Sequence, residues 1–230
     1  METIQEFGGF SAECPAFLAD LAMNNETGWF NAHRGDYEDY VLKPSRAFVA
    51  ALGERLSPVI PGIIADPTVN RSLFRINRDT RFRRDKSPYK THLSMWFWEG
   101  AGPRMERSGF YFHLDPDKLL LAAGIHRFQR HVLETYREAV VHPKRGKSLE
   151  QAVSLVESRG FSIGGESYKR MPRGYDPGHR NARFLLFDGL HAFQEMDIPR
   201  EFLTAAFVDF CAERFILMEP VHRWLTELIG

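Results

Sequence analysis

Apolar positions in the first sixty residues recur at helical spacing. Phe17, Leu18, Leu21 and Ala22 follow Phe10-Ser-Ala-Glu13, with Ser11 the expected N-cap and Asn24-Asn25 the stop. A second helical stretch runs from about Thr27 to Ser57. It sets Trp29, His33, Tyr37 and Tyr40 on one face, and Leu42, Phe48, Val49, Leu52 and Leu56 continue an apolar stripe. Pro44 is expected to kink or split this helix, because proline lacks the N–H and crowds the preceding turn. Pro58 and Pro61-Gly62 end it.

The middle of the chain changes period. Ser72–Ile76, His92–Trp98, Gly109–Leu114 and Leu119–Gly124 are short aromatic or aliphatic runs, punctuated by Gly100-Ala-Gly-Pro103 and Asp115-Pro-Asp117. They read as strands, antiparallel because their connections are short. Helices are expected at about Gln129–Val141 and Leu149–Ser158, the second capped by Ser148 and ended by Gly160. Phe161–Ile163, Arg183–Phe187 and His191–Gln194 read as further short strands around a polar loop from Gly164 to Gly178. Two helices, about Pro199–Leu217 and Val221–Ile229, close the chain on either side of Pro220. The order predicts an α+β fold: a mostly antiparallel sheet with N-terminal and C-terminal helices packed on it. No repeat, low-complexity tract or linker interrupts it, so a single domain over residues 1–230 is expected.

Composition supports a folded globular chain: 43% apolar, 26% charged and 19 Phe, enough for an aromatic-rich core. Cys14 and Cys211 sit in apolar helical settings and read as buried thiols. No signal-peptide pattern and no membrane-length apolar run is visible, so the expected location is cytoplasmic. The net charge is zero but unevenly spread. Residues 1–70 sum to −6, 71–92 to +6, 144–183 to +5 and 184–230 to −5. Either the acidic ends neutralise the basic middle, or the two basic segments make a cationic site. A neutral total argues against general coating of nucleic acid.

The densest chemistry lies in Arg75–His92, with seven Lys/Arg, two Asp, Phe82 and Tyr89. Arginine forks match phosphate or carboxylate bidentately, while Lys86 and Lys90 act as point charges. The ligand-binding candidates are Arg75, Arg78, Arg81, Lys86, Tyr89 and Lys90. Asp79 is the acid/base candidate. Turn residues place this segment as an ordered loop between two strands. A second basic, aromatic loop, Tyr168–His179, adds Lys169 and Arg170, and the Trp29–Arg34 segment adds His33 and Arg34.

Trp29-Phe30, His33-Arg34, Tyr37, Arg75-x-x-Arg-Asp-x-Arg-Phe82, Asp85-Lys-Ser-Pro-Tyr-Lys-Thr91, Gly109-Phe-Tyr-Phe-His-Leu114 and Tyr168-Lys-Arg-x-Pro-x-Gly-Tyr175 together resemble an uncharacterised bacterial family of similar length, domain of unknown function 2461. The resemblance spans nearly the whole chain. It implies an α+β domain with a shared site around the arginine motif; it implies no activity and assigns no functional residues.

No His-Glu-x-x-His, Gly-x-Ser-x-Gly, Walker loop, nicotinamide or flavin fingerprint appears, and no metal-ligand spacing is seen among the nine His. Three readings remain: a small-molecule phosphate- or carboxylate-binding protein, enzymatic or not; a nucleic-acid module using the basic residues with Phe82, Tyr89, Trp96 and Trp98; and a structural ion-pair network in a protein-interaction domain.

Overall fold

A computed structural model describes residues 6–82 and 84–230. The first helix, α1 (Glu13–Met23), stops where expected, and both the backbone N–H and the side chain of Asn24 bond to the Asp20 carbonyl. Then follow α2 (Thr27–Ala32), α3 (Arg34–Asp36), a π-helical turn over Tyr37–Leu42, and α4 (Lys43–Leu56). The stretch thus divides next to Pro44, as expected, while the backbone stays helical across the junction. Pro44 sits in the first turn of α4, and the wider π turn ahead of it absorbs the missing N–H and the bulk of the ring. The inserted residue rotates the face, which leaves Tyr40 exposed while Tyr37 packs on Phe17 and Phe30.

Six strands form one antiparallel sheet: β1 (Ile63–Ile64), β2 (Leu93–Glu99), β3 (Gly109–Leu114), β4 (Lys118–Ile125), β5 (Ser162–Glu166) and β6 (Phe187–Asp197). Their order is β1-β2-β3-β4-β6-β5. The α+β expectation holds. Ser72–Ile76 is not a strand: a turn with Asn70 at φ 69° precedes it, and its pairing among the described residues consists of isolated bridges from Leu73 to Val69 and to Met95. Arg183–Phe187 is mostly a 3-10 turn (Ala182–Leu186) leading into β6.

The later helices are α5 (Arg130–Val141), α6 (Pro143–Ser158) and α7 (Phe207–Ile229), with a 3-10 turn at Arg200–Leu203. Helix α6 starts earlier than Ser148 because Pro143 presets its first turn and the His142 imidazole caps it, accepting from the N–H groups of Lys144 and Arg145. Pro220 lies inside α7 rather than between two helices. No helix is long and apolar enough to cross a membrane among the described residues.

The residues group into two compact units. The first comprises Met1–Phe97, Tyr111–Leu121 and Glu195–Glu213. Its core is a phenylalanine cluster: Phe10 stacks on Phe202 at 4.9 Å, and Phe48 lies 5.4 Å from both Phe112 and Phe207. Burying each ring stabilises by about 1.5–3 kcal/mol. The second comprises Trp98–Phe110, Ala122–Gln194 and Arg214–Gly230. There Tyr136 is fully buried, bonds through its hydroxyl to the Phe184 carbonyl, and meets Trp224 edge-on at 5.9 Å. Cys14 and Cys211 are buried free thiols, and burial pushes the Cys14 pKa up to about 12.

Candidate functional site

Strand β3 sorts its side chains by period 2. Phe110, Phe112 and Leu114 are fully buried, while Tyr111, His113 and the following Asp115 alternate with them and are partly open. The second set builds a polar cluster in the first unit. Tyr111 donates its hydroxyl hydrogen to His113 Nδ1 at 2.9 Å, and His113 Nε2 bonds to Asp115 Oδ2 at 3.1 Å. A carboxylate only accepts, so the imidazole proton sits on Nε2 and leaves Nδ1 to accept from Tyr111. Ser94, on β2, bonds to the Tyr111 oxygen; burial raises the Tyr111 pKa and this bond opposes the rise. Phe74 and Trp96 pack at 6.4 Å from the Tyr111 ring.

His92, one residue before β2, stacks on His113 with ring centroids 4.3 Å apart. Burial, then the neighbouring His113, push its pKa down to about 4 against the pull of Asp115; Lys90 and Arg78 push the same way. His92 is therefore neutral at physiological pH and keeps a ring lone pair. Among the described residues, His92, His113 and Asp115 form a group able to hold a metal ion, with ligand atoms all within 4.8 Å of one another.

The basic loop runs into this cluster. Its ends are closed by the Asn77–Tyr89 bridge, with Arg78 N–H on the Pro88 carbonyl and Lys90 N–H on the Ile76 carbonyl, both 2.8 Å. Tyr89 is an anchor: it is buried, stacks on Phe30 at 4.2 Å, and has its backbone N–H and carbonyl both held by the Asn25 side chain. Within the loop, Arg81 forks onto Asp79 at 3.0 and 2.7 Å, which holds the Asp79 carboxyl down at about 2. Such a carboxylate is a poor proton acceptor at neutral pH. Asp85 takes Ser87 and Arg78, whose bonds keep it well below the usual carboxylate range. Lys86 donates to the Thr80 carbonyl at 2.8 Å. Much of the cluster thus ties the loop to itself.

Arg75 and Arg84 are exposed and make no ion pair among the described residues. Arg78 differs: its side chain is only 20% exposed, and its Nη1 sits 2.5 Å from Asp85. The Lys90 ammonium lies 5.1 Å from the centre of the Phe74 ring. Arg83 lies outside the described residues. His33 stacks on Trp29 at 4.1 Å, and Arg34 sits over Phe30, the ring that carries Tyr89. Trp96 and Trp98 are buried, which removes them as base-stacking surfaces, whereas Phe82 is 94% exposed.

In the second unit, Lys169 and Arg170 are exposed on the loop after β5, next to Tyr168, whose ring lies 4.9 Å from the Arg137 guanidinium carbon. The same unit holds a Ser108–His222–Glu99 chain, with Ser108 Oγ to Nδ1 at 2.9 Å and Nε2 to the carboxylate at 3.1 Å. It has the members of a nucleophile–base–acid set, yet Ser108 and His222 are each 1% exposed, so no substrate reaches the hydroxyl. It is a buried polar tie. A cleft of about 1020 Å³ in the first unit is lined by Phe7, Gly8, Asp39, Lys43, Arg46 and Leu203 among others, and by none of the sequence-predicted site residues.

Sequence reasoning passed over Tyr111, His113 and Asp115. The signal was present as three polar groups at period 2 opposite Phe110, Phe112 and Leu114; a search for helical or cysteine-based ligand spacing does not detect it. The family model described as Conserved hypothetical protein (DUF2461) matches residues 13–224. No curated protein matches the chain.

Proposed function

The chain belongs to the DUF2461 family of conserved hypothetical proteins, and from that premise, which carries no activity, we propose that it binds a small phosphate- or carboxylate-bearing molecule on the β2–β3 face at the base of the basic loop. The carrying observation is the mostly buried Arg78 guanidinium, with Lys90, within electrostatic reach of the half-buried His92, which stacks on His113. Cations held out of solvent in this way favour an anion more strongly than the same charges in water. The rest of the loop supports the same reading. Pairing of Asp79 with Arg81 and of Asp85 with Arg78 and Ser87 rigidifies the backbone that presents Arg78 and Lys90. The proposal is one of binding and includes no reaction.

Thermal unfolding with millimolar inorganic phosphate, sugar phosphates and citrate tests it. A ligand at a hundred times its Kd stabilises by about 2.7 kcal/mol, which raises Tm by several degrees in a chain of this size. The Arg78→Ala/Lys90→Ala double variant loses the rise, and Arg84→Ala keeps it. Lys169→Ala/Arg170→Ala reports whether the other basic loop binds anions by itself. A flat Tm with every anion, or a full rise in the Arg78/Lys90 variant, overturns the proposal.

A further inference from the structure

We propose that His92, His113 and Asp115 form a mononuclear site for a divalent first-row transition ion, with at least one coordination position open to an exogenous ligand. Two imidazole nitrogens and one carboxylate oxygen are a donor set that Zn²⁺ and Fe²⁺ accept, and three protein ligands leave room for water or substrate. The ligand atoms already lie within 4.8 Å of one another. Ligands in a tetrahedral shell at about 2.0–2.2 Å stand roughly 3.4 Å apart, so modest side-chain rotations close the site. The backbone is committed in advance: His113 and Asp115 share one face at the end of β3, and His92 is held over His113 by ring stacking.

The surroundings of the ligands support the assignment. Metal-bound histidines have their second nitrogen oriented by a hydrogen bond, and His113 has this in Tyr111, itself held by Ser94. On binding, the ion takes His113 Nε2. The imidazole proton then resides on Nδ1 and is donated to the Tyr111 oxygen, so the ring stays neutral. Asp115 is 43% exposed and His113 20%, which gives the ion a path in and a solvent-facing coordination position.

Two neutral imidazoles and one carboxylate leave a dication with a net charge of +1, and Arg78 and Lys90 add to it. An anionic fourth ligand balances that charge. This clause alone rests on the anion-binding reading; the metal site does not.

The test is direct metal binding. Chelator-stripped protein is titrated with Zn²⁺, with Fe²⁺ without oxygen, and with Co²⁺ for its visible spectrum. Mg²⁺ serves as the oxygen-preferring control. The expected result is one ion per chain at micromolar affinity or tighter, a Co²⁺ spectrum with nitrogen–oxygen ligation, and no response to Mg²⁺. His92→Ala and Asp115→Asn each weaken binding at least 100-fold, and Tyr111→Phe weakens it about 10-fold. His191→Gln, remote from these ligands in sequence and in the other unit, leaves binding unchanged. Circular dichroism confirms that each variant is folded, and Asp115→Asn, the mildest change, carries the conclusion if His92→Ala is not. A stoichiometry near zero, or affinity indifferent to Asp115→Asn and Tyr111→Phe, overturns the inference. Because the phosphate-dependent Tm rise is measured on stripped protein as well, loss of the metal result with retention of that rise overturns the metal site alone.

Discussion

His191 shows how one residue carries both packing and pH response. It pairs with Gly164 across β5 and β6, and a Cβ at Gly164 would run into its imidazole, so glycine makes room for the ring. Burial, then the nearby His126, push the His191 pKa down to about 4, and its Nδ1 is buried without a partner among the described residues. The unfolded chain, with a histidine pKa of about 6.5, therefore binds more protons than the folded one between about pH 6.5 and 4. Stability is complete above that window and falls as pH drops through it. His191→Gln should flatten the fall, by up to about 3 kcal/mol across the window. Urea unfolding of both proteins at pH 7 and pH 4.5 measures it, and equal losses in the two would contradict this account. At the same scale the sequence was legible only in part. Arg78 and Lys90 stood among six candidates of equal standing, with Arg75, Arg81, Lys86 and Tyr89, because which of the loop's cations pair internally depends on the three-dimensional closure at Asn77 and Tyr89. His92 joins His113 across twenty residues through strand pairing, which no local pattern encodes.

At the scale of elements, strand β3 was readable to the residue, because its apolar and polar positions alternate strictly between turn residues. The two prolines behave differently: Pro44 stands in the first turn of α4, where proline is tolerated, whereas Pro220 lies inside α7. Propensity treats Pro220 as a break, whereas packing on both sides holds the helix through it. In α7, apolar residues on both sides of Pro220 stay buried, including Phe215, Met218, Val221 and Leu225. Proline removes the donor that the Ile216 carbonyl would take, and the neighbouring Leu217 carbonyl is taken by the Arg159 guanidinium at 2.7 Å. Arg159→Ala should lower stability by about 1 kcal/mol, seen as a lower urea midpoint with unchanged slope; an unchanged midpoint would show that the carbonyl needs no such partner. The strand expected at Ser72–Ile76 has suitable composition, yet Phe74 N–H to the Ser94 carbonyl and Trp96 N–H to the Ser72 carbonyl are its links to β2 around a single bridge. The tight turn at Asn70 and the loop that follows leave it no length to run.

Across the whole molecule, part of the uneven charge is paired locally in the first unit. Three cations of the basic segment meet its own or adjacent acids, Arg71 with Asp66, Arg81 with Asp79 and Arg78 with Asp85. The acidic segment near the C-terminus finds Arg55 and Lys118 through Asp209 and Asp197. These pairs are mostly exposed and contribute little stability each; their effect is to hold the loop in one shape. The α+β architecture followed from periodicity, and the arginine motif is the stretch on which the proposed anion site rests. The polar face on β2 and β3 became visible only when strand pairing brought His92 beside His113. The central claim is that anions are received at that face. Its most direct test is titration of the folded protein with inorganic phosphate while the histidine ring resonances are followed by NMR. The account predicts saturable shifts at His92 and His113, absent in the Arg78→Ala/Lys90→Ala protein, with His191 and His222 still. Unmoved His92 and His113 resonances at saturating phosphate, or shifts confined to the Tyr168–His179 loop, would contradict it.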